Sequence, residues 1–437
     1  MTNTVDITQF NSEGFESFLS ARPQPSWLEQ RRRTAWSTFE EMDWPTRRQE
    51  EWIRTDIRLF KLDKFGLPAA VDTPSQTVDS LLGDGLELGG QVTNVDGICT
   101  SSRICEELSA KGVIFGSLDE LAGEHSELIE SHLMNSGFDA ATDRFSALHA
   151  ACFTGGVFLY VPRGVNVDLP LHTVSQLSDG AVDLGHTLVI LEDGANATLL
   201  AESHSTSEDA SGLHCGGIEL VVGNDAHLRY VNLQDWGQGV WHFGHQHADV
   251  GRNGSLQWTS AALGSRLAKI NQHVSLSGEY ADCQVNGVLF TEGKQHLSYH
   301  TMQHHVAPNC HSDFLYKSAL QDKSRTVWRG MIKVDPDAQK TDGYQRNDNL
   351  LLSDNCRADS IPGLEIEADD VRCTHGSTSG KVDEELIFYA QCRGYTRNEA
   401  IRLIVTGFFQ QIFDRITIDS VRDALGLAIA RRVREYE

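Results

Sequence analysis

The sequence predicts a mainly β protein, with a solenoid of stacked β coils as its core and α-helical segments at both ends. Three observations lead there: a turn-rich middle stretch of nearly constant period, helical patterning before it, and helical patterning after it. At 437 residues the chain is long enough for one large domain with appendages, or for two to three domains.

From residue 12 to about 62 the chain is dense in Trp, Arg and Glu. Its helical stretches are broken at Pro23, Pro25 and Pro45, where the missing N–H cannot continue a helix. From about 145 to 377 the character changes to short alternating stretches of Val, Ile, Leu and Thr, punctuated by Gly, Asn and Asp. Turn clusters contain Gly194, Gly223, Gly251 and Gly278, which stand 29, 28 and 27 residues apart. Pro308 and Pro336 continue that spacing by 30 and 28. A short candidate strand follows each glycine, at 197–200, 227–230, 255–258 and 281–284. A single coil of strands and turns cannot bury its own apolar face, so repeats of this length stack to share a core. An ordinary sandwich with evenly spaced turns would show a similar rhythm.

The last stretch returns to helix. Residues 383–392 form a short helical pattern stopped by Gly394 at a C′ position. Thr396, Arg397, Asn398 and Glu399 form a capping box, followed by Ile401, Ile404, Val405, Phe408, Phe409, Ile412 and Phe413 at helical spacing. A further amphipathic pattern covers 420–433, and part of this apolar surface is expected to cover the end of the solenoid. The organisation predicted is thus 1–144 helical and mixed, 145–380 coil core, and 381–437 helical.

Composition narrows the function. The net charge of −24, from 61 acidic residues against 37 Lys and Arg, repels nucleic-acid phosphates and anionic membranes. No apolar run approaches a membrane span, and the first residues lack the pattern of a secretory or organelle leader, so a cytoplasmic location is expected. The nine cysteines include no C-x-x-C pair, which fits a reducing compartment better than a disulfide framework. No phosphate loop, nucleophile elbow or H-E-x-x-H appears, so the chain is not expected to be an enzyme. A solenoid enzyme acting on polysaccharide would need a set of acids that the sequence does not display.

Three groups of possible metal ligands stand out. His245 and His247 would share one face of a strand, with His242 nearby, but no Glu completes a cupin-like set; exposed or hydrogen-bonded histidines are the plainer reading. His300, His304, His305, Cys310 and His311 are dense, yet Pro308 and Asn309 place a turn among them, which suggests surface histidines. Cys373 and His375 differ: in a strand they would face one way, and thiolate beside imidazole suits iron or an iron–sulfur cluster.

Residues 364–395 read LEIEADDVRCTHGSTSGKVDEELIFYAQCRGY. This stretch closely resembles the signature region of the SufB/SufD family of iron–sulfur cluster assembly proteins. Pro25 to Leu28 (PSWL) with TRRQEEW at 46–52, FSALH at 145–149 with VPRGV at 161–165, and WRG at 328–330 with QRNDNLLLS at 345–353 resemble the family as well. The SufB branch carries a Cys 28 residues before the signature His and acids on either side of that His; here these positions hold Asn347, Thr374 and Gly376, as in the SufD branch. The resemblance implies a right-handed parallel β-helix core with N- and C-terminal helical domains. It also implies a non-catalytic scaffold that pairs with SufB through its late coils and docks the ATPase SufC with its C-terminal helices. Thr396, Glu399, Phe408 and Phe409 are the docking candidates there. By the same resemblance His375, with Cys373 beside it, serves a transient iron or iron–sulfur cluster at the SufB interface, and none is held stably by this chain alone.

Overall fold

Each coil of the middle stretch contains two strands joined by two turns, and equivalent strands of successive coils pair in parallel. The computed structural model, which describes residues 9–68, 78–135 and 137–433, is a parallel β-solenoid of about eight turns with helices at both ends of the chain. The front sheet runs from Ile98–Ile104 through Leu171–Leu177, Asn196–Ser205, His227–Asp235, Ser255–Ala262, Asp282–Thr291, His311–Leu320 and Asp342–Leu351 to Arg372–Lys381. The back sheet ends at Arg357–Ile366 and includes Ser211–Val222, Gly239–Val250, Leu267–Leu276, His296–His305 and Arg325–Val334.

The glycine period marks one of the two turn columns. Two residues beyond Gly223, Gly251 and Gly278 stand Asp225, Asn253 and Tyr280, each with positive φ. Their N–H groups donate to the carbonyls of Arg252, Glu279 and Pro308 one coil further on, at 2.8, 3.0 and 3.3 Å. The turns therefore extend the hydrogen-bond ladder of the sheets from one coil to the next.

Inward-facing residues form columns along the solenoid axis. One runs Leu199, Tyr230, Trp258, Val285, Phe314, all fully buried. The strand period of two sends alternate residues outward, where each sheet needs a cover. The back sheet is covered by the N-terminal segment: Trp52, Phe60 and Phe145 pack on Trp241 and Phe243. Arg32 is buried in that cover, donating to the carbonyls of Ala151 and Phe153 and lying 3.7 Å from Asp119. The front sheet is covered by helices Arg397–Phe413 and Asp419–Arg432, whose Val405, Phe409 and Ile412 meet Val288, Leu315 and Ala319.

The C-terminal helices thus lie along the flank of the solenoid. They do not close its end, as their apolar pattern had suggested, because the front sheet presents its own apolar outer stripe to them. Residue 145 falls at the second position of helix Arg144–Cys152, and strands Gly90–Val95, Ile98–Ile104 and Ile114–Gly116 extend the two sheets from before it. Among the described residues no helix is long and apolar enough to cross a membrane.

Candidate functional site

The last coil is open. Strand Arg372–Lys381 pairs on one side with Asp342–Leu351, strand Arg357–Ile366 pairs on one side with Arg325–Val334, and most of their residues are exposed or half-exposed. Two ten-residue strands therefore present unpaired backbone edges, the kind of edge that another chain can extend. Val306, Tyr344, Leu364 and Ile366 add exposed apolar side chains to this end.

Cys373 and His375 sit on that edge. Register continues the inward column through Phe314 and Gln345 to His375, and a neighbouring column through Ser312 and Gly343 to Cys373. The two candidates therefore share the inward face of the final strand, as their spacing predicts. His375 is exposed because no further coil covers the mouth. Cys373 is half-buried against Ile332 and Val334, and burial pushes its thiol above the ordinary value, which favours the protonated form over the ligating thiolate.

Behind the mouth the interior turns polar. Gln345, the register partner of His375, donates to the carbonyl of Gly363 at 2.9 Å, while its Oε1 is buried without a partner. Asn347 accepts from Ser360 and Asn349 and donates to the carbonyl of Tyr316. His305 contacts Ser312 at 2.8 Å, and Ser312 donates to Gln303. A neutral imidazole at an open rim can lend a lone pair to a metal. Among the described residues, however, no three His, Cys, Asp or Glu side chains are placed to hold a metal ion.

Two family models match the chain: the SUF system FeS cluster assembly SufBD core domain over residues 173–408, and the SufBD protein N-terminal region over 16–173. The chain belongs to the SufBD family. An iron–sulfur cluster assembly SufBD family protein of Mycobacterium leprae is 31% identical over 332 residues, 73% of this chain and 83% of that protein. One of Mycobacterium tuberculosis is 33% identical over 305 residues, 68% of this chain and 76% of the relative. One of Staphylococcus saprophyticus is 31% identical over 309 residues, covering 70% and 66%. Iron–sulfur cluster assembly is accordingly the function class of the chain.

The other candidate ligands of this SufBD chain are engaged elsewhere. His245 and His247 do share the outer face of their strand, but neither is exposed: His245 contacts Asp143 at 3.2 Å and His247 contacts Ser275 at 3.3 Å. His242 lies on the opposite, inward face beside His214. Of the group expected at the surface, only His311 is exposed. His300 and His304 are half-buried and bonded to Glu51 and Asp335, and His305 and Cys310 are buried.

The docking candidates divide. Phe409 is fully buried on the front sheet and Phe408 is half-buried beneath Lys317, whose ammonium donates to its carbonyl, so neither forms an open face. The exposed large apolar residues of this region are instead Leu386, Phe388, Tyr389, Tyr395, Leu403 and Leu427. In helix Glu384–Gln391 only Ile387 is buried, so Leu386, Phe388 and Tyr389 have no cover among the described residues. Thr396 and Glu399 are exposed but bond to each other as the capping box of helix Arg397–Phe413. Thr396→Ala is expected to destabilise that helix by about 1 kcal/mol, read as a small drop in the urea midpoint; an unchanged midpoint would contradict the capping role.

Proposed function

We propose that the chain is the SufD-type half of a cytoplasmic iron–sulfur scaffold, completed by a SufB partner on its open coil and coupled to the SufC ATPase through its C-terminal helices. The carrying observation is the uncovered last coil with His375 on its inward rim. An imidazole with no neighbouring ligand set makes chemical sense where a second chain supplies the thiolate. Asn347, in the place of the Cys of the SufB branch, fits a half-site that depends on its partner. The iron or cluster is then cargo held between the chains. The exposed Leu386, Phe388, Tyr389, Tyr395 and Leu403 give SufC an apolar surface, and its ATP hydrolysis drives the rearrangement that this chain transmits without covalent chemistry.

Co-expression with SufB and SufC, anaerobic purification through a tag on this chain, and visible absorption of bound cluster test the reading. Wild type is expected to carry both partners and cluster colour, and His375→Ala to keep the partners but lose most of the colour. Elution of this chain alone, or as pairs of itself, would refute the partner assignment. Normal colour in His375→Ala would refute the role of the histidine.

A further inference from the structure

A second polar region lies inside the early coils, far along the chain from the open mouth. Asp183, His214 and His242 occupy equivalent positions on three successive back-sheet strands, forming an inward ladder. Gly216 and Gly244, neighbours in the same register, leave room beside it, and the imidazole of His214 lies where a Cβ on Gly216 would stand, 2.4 Å from Nε2. Together with front-sheet residues they line a cavity of about 80 Å³.

The lining is unusual for a solenoid interior. Both amide atoms of Asn94, Oγ1 of Thr173, Nδ1 of His214, Nε1 of Trp236, Nδ1 of His242 and Oε1 of Gln246 are buried and have no hydrogen-bond partner among the described residues. Native interiors satisfy nearly all such groups. The next coils show the alternative: at the positions that follow Thr173 and Ala201 in register, Ser260 donates to Asn232 at 2.9 Å and Gln272 donates to Ser260 at 3.4 Å, so the polar groups there bond directly to one another.

We propose that this chamber is a built site for a small cluster of buried waters. One water needs only about 10–15 Å³ of such space, so the chamber has room for more than one. The chemistry of the lining selects water over a cation. Asn94 Nδ2 and Trp236 Nε1 only donate and would repel a metal ion, Asn94 Oδ1 and Gln246 Oε1 only accept, and the Thr173 hydroxyl does both. Only a ligand that both donates and accepts serves the whole set. Asp183 Oδ2 lies 3.7 Å from His214 Nδ1, and among the described residues no third ligand converges on them. The waters would link imidazoles of the back sheet to the hydroxyl and amide groups opposite, joining the two sheets where apolar packing is missing.

A high-resolution crystal structure of the full chain, with anomalous data at the iron and zinc edges, tests the site. The expected result is ordered water density in the chamber, each water within hydrogen-bond distance of at least two of the named atoms, and no anomalous peak. Thr173→Val, nearly isosteric, should fold and lose the water on that hydroxyl. A metal peak, or a chamber closed by direct bonds between its own side chains, would overturn the proposal. It stands independently of the partner assignment, since neither His375 nor the open coil takes part.

Discussion

Lowering the pH from 7.5 to 5.5 is expected to lower the stability of this chain by several kcal/mol, through its histidines and well before its carboxylates protonate. Burial holds His149, His242, His247, His273, His296, His300 and His305 below the ordinary imidazole value, with His273 at about 3 and His296, His300 and His305 at about 4. The unfolded chain takes up these protons at about pH 6.5, whereas the folded chain refuses them until lower pH, near 3 to 4 at His273, His296, His300 and His305. Stability contributed by these groups is therefore complete above pH 6.5 and falls as the pH drops below it. Each site that protonates only in the unfolded chain costs about 1.4 kcal/mol per pH unit in that window. Seven such sites, even if only half act fully, remove about 5 kcal/mol by pH 5.5, comparable to the whole stability of many domains.

Opposing groups are few. Its hydrogen bond to Asp282 raises His311, which gains stability on acidification, and burial raises Asp119. His300 holds Glu51 down at about 2, and hydrogen bonds and charge partners outweigh burial at Asp143 and Glu202, so these lose stability only in a more acidic range. Urea midpoints measured between pH 7.5 and 5 check the expectation. His273→Gln should flatten the pH slope by about one proton. A midpoint that stays level down to pH 5.5 would show that the histidines are hydrated enough to titrate in the folded state.

The histidines also show where sequence reasoning stopped. Imidazoles at i and i+2 were visible as a same-face pair, and the structure keeps His245 and His247 on one face. What covers that face comes from a hundred residues earlier, in Asp143 and its helix, and no local pattern carries that information. The solenoid itself was legible because its signal is periodic: Gly223, Gly251 and Gly278 recur at the turns they occupy. The second strand of each coil went unassigned, although the turns at the other edge carry their own glycine series, Gly237, Gly264 and Gly293, 27 and 29 residues apart. Phe409 illustrates a further limit. A broad apolar helix face says that something covers it, and only the register of the front sheet reveals that Val288 and Leu315 do. The position of Cys373 and His375 on one face followed from strand alternation alone, whereas the openness of the coil around them depends on where the C-terminal helices pack.

The glycine period carries the second large expected effect. Gly278→Ala should destabilise the protein by about 3 kcal/mol or more, because the added carbon has only backbone to meet. Its Cβ would lie 1.9 Å from the nitrogen of Arg252, 2.3 Å from the carbonyl carbon of Gly251 and 2.5 Å from the Cα of Arg252. These atoms belong to the turn of the preceding coil, and that turn is held by the N–H of Gly278 donating to Val250. No side-chain rotation relieves the contact; the two turns must separate and break the ladder between them. Gly194→Ala is a different case at the same point of the period. Nothing lies closer than 3.8 Å there, and the cost is confined to its φ of +71°, about 1 kcal/mol. Gly380→Ala, with no atom within 4 Å, should leave the urea midpoint unchanged. If turn stacking sets the repeat, the three variants rank in that order with Gly278 far ahead. Equal small losses at Gly278 and Gly194 would mean that the turns yield easily, and that the period reflects backbone conformation alone.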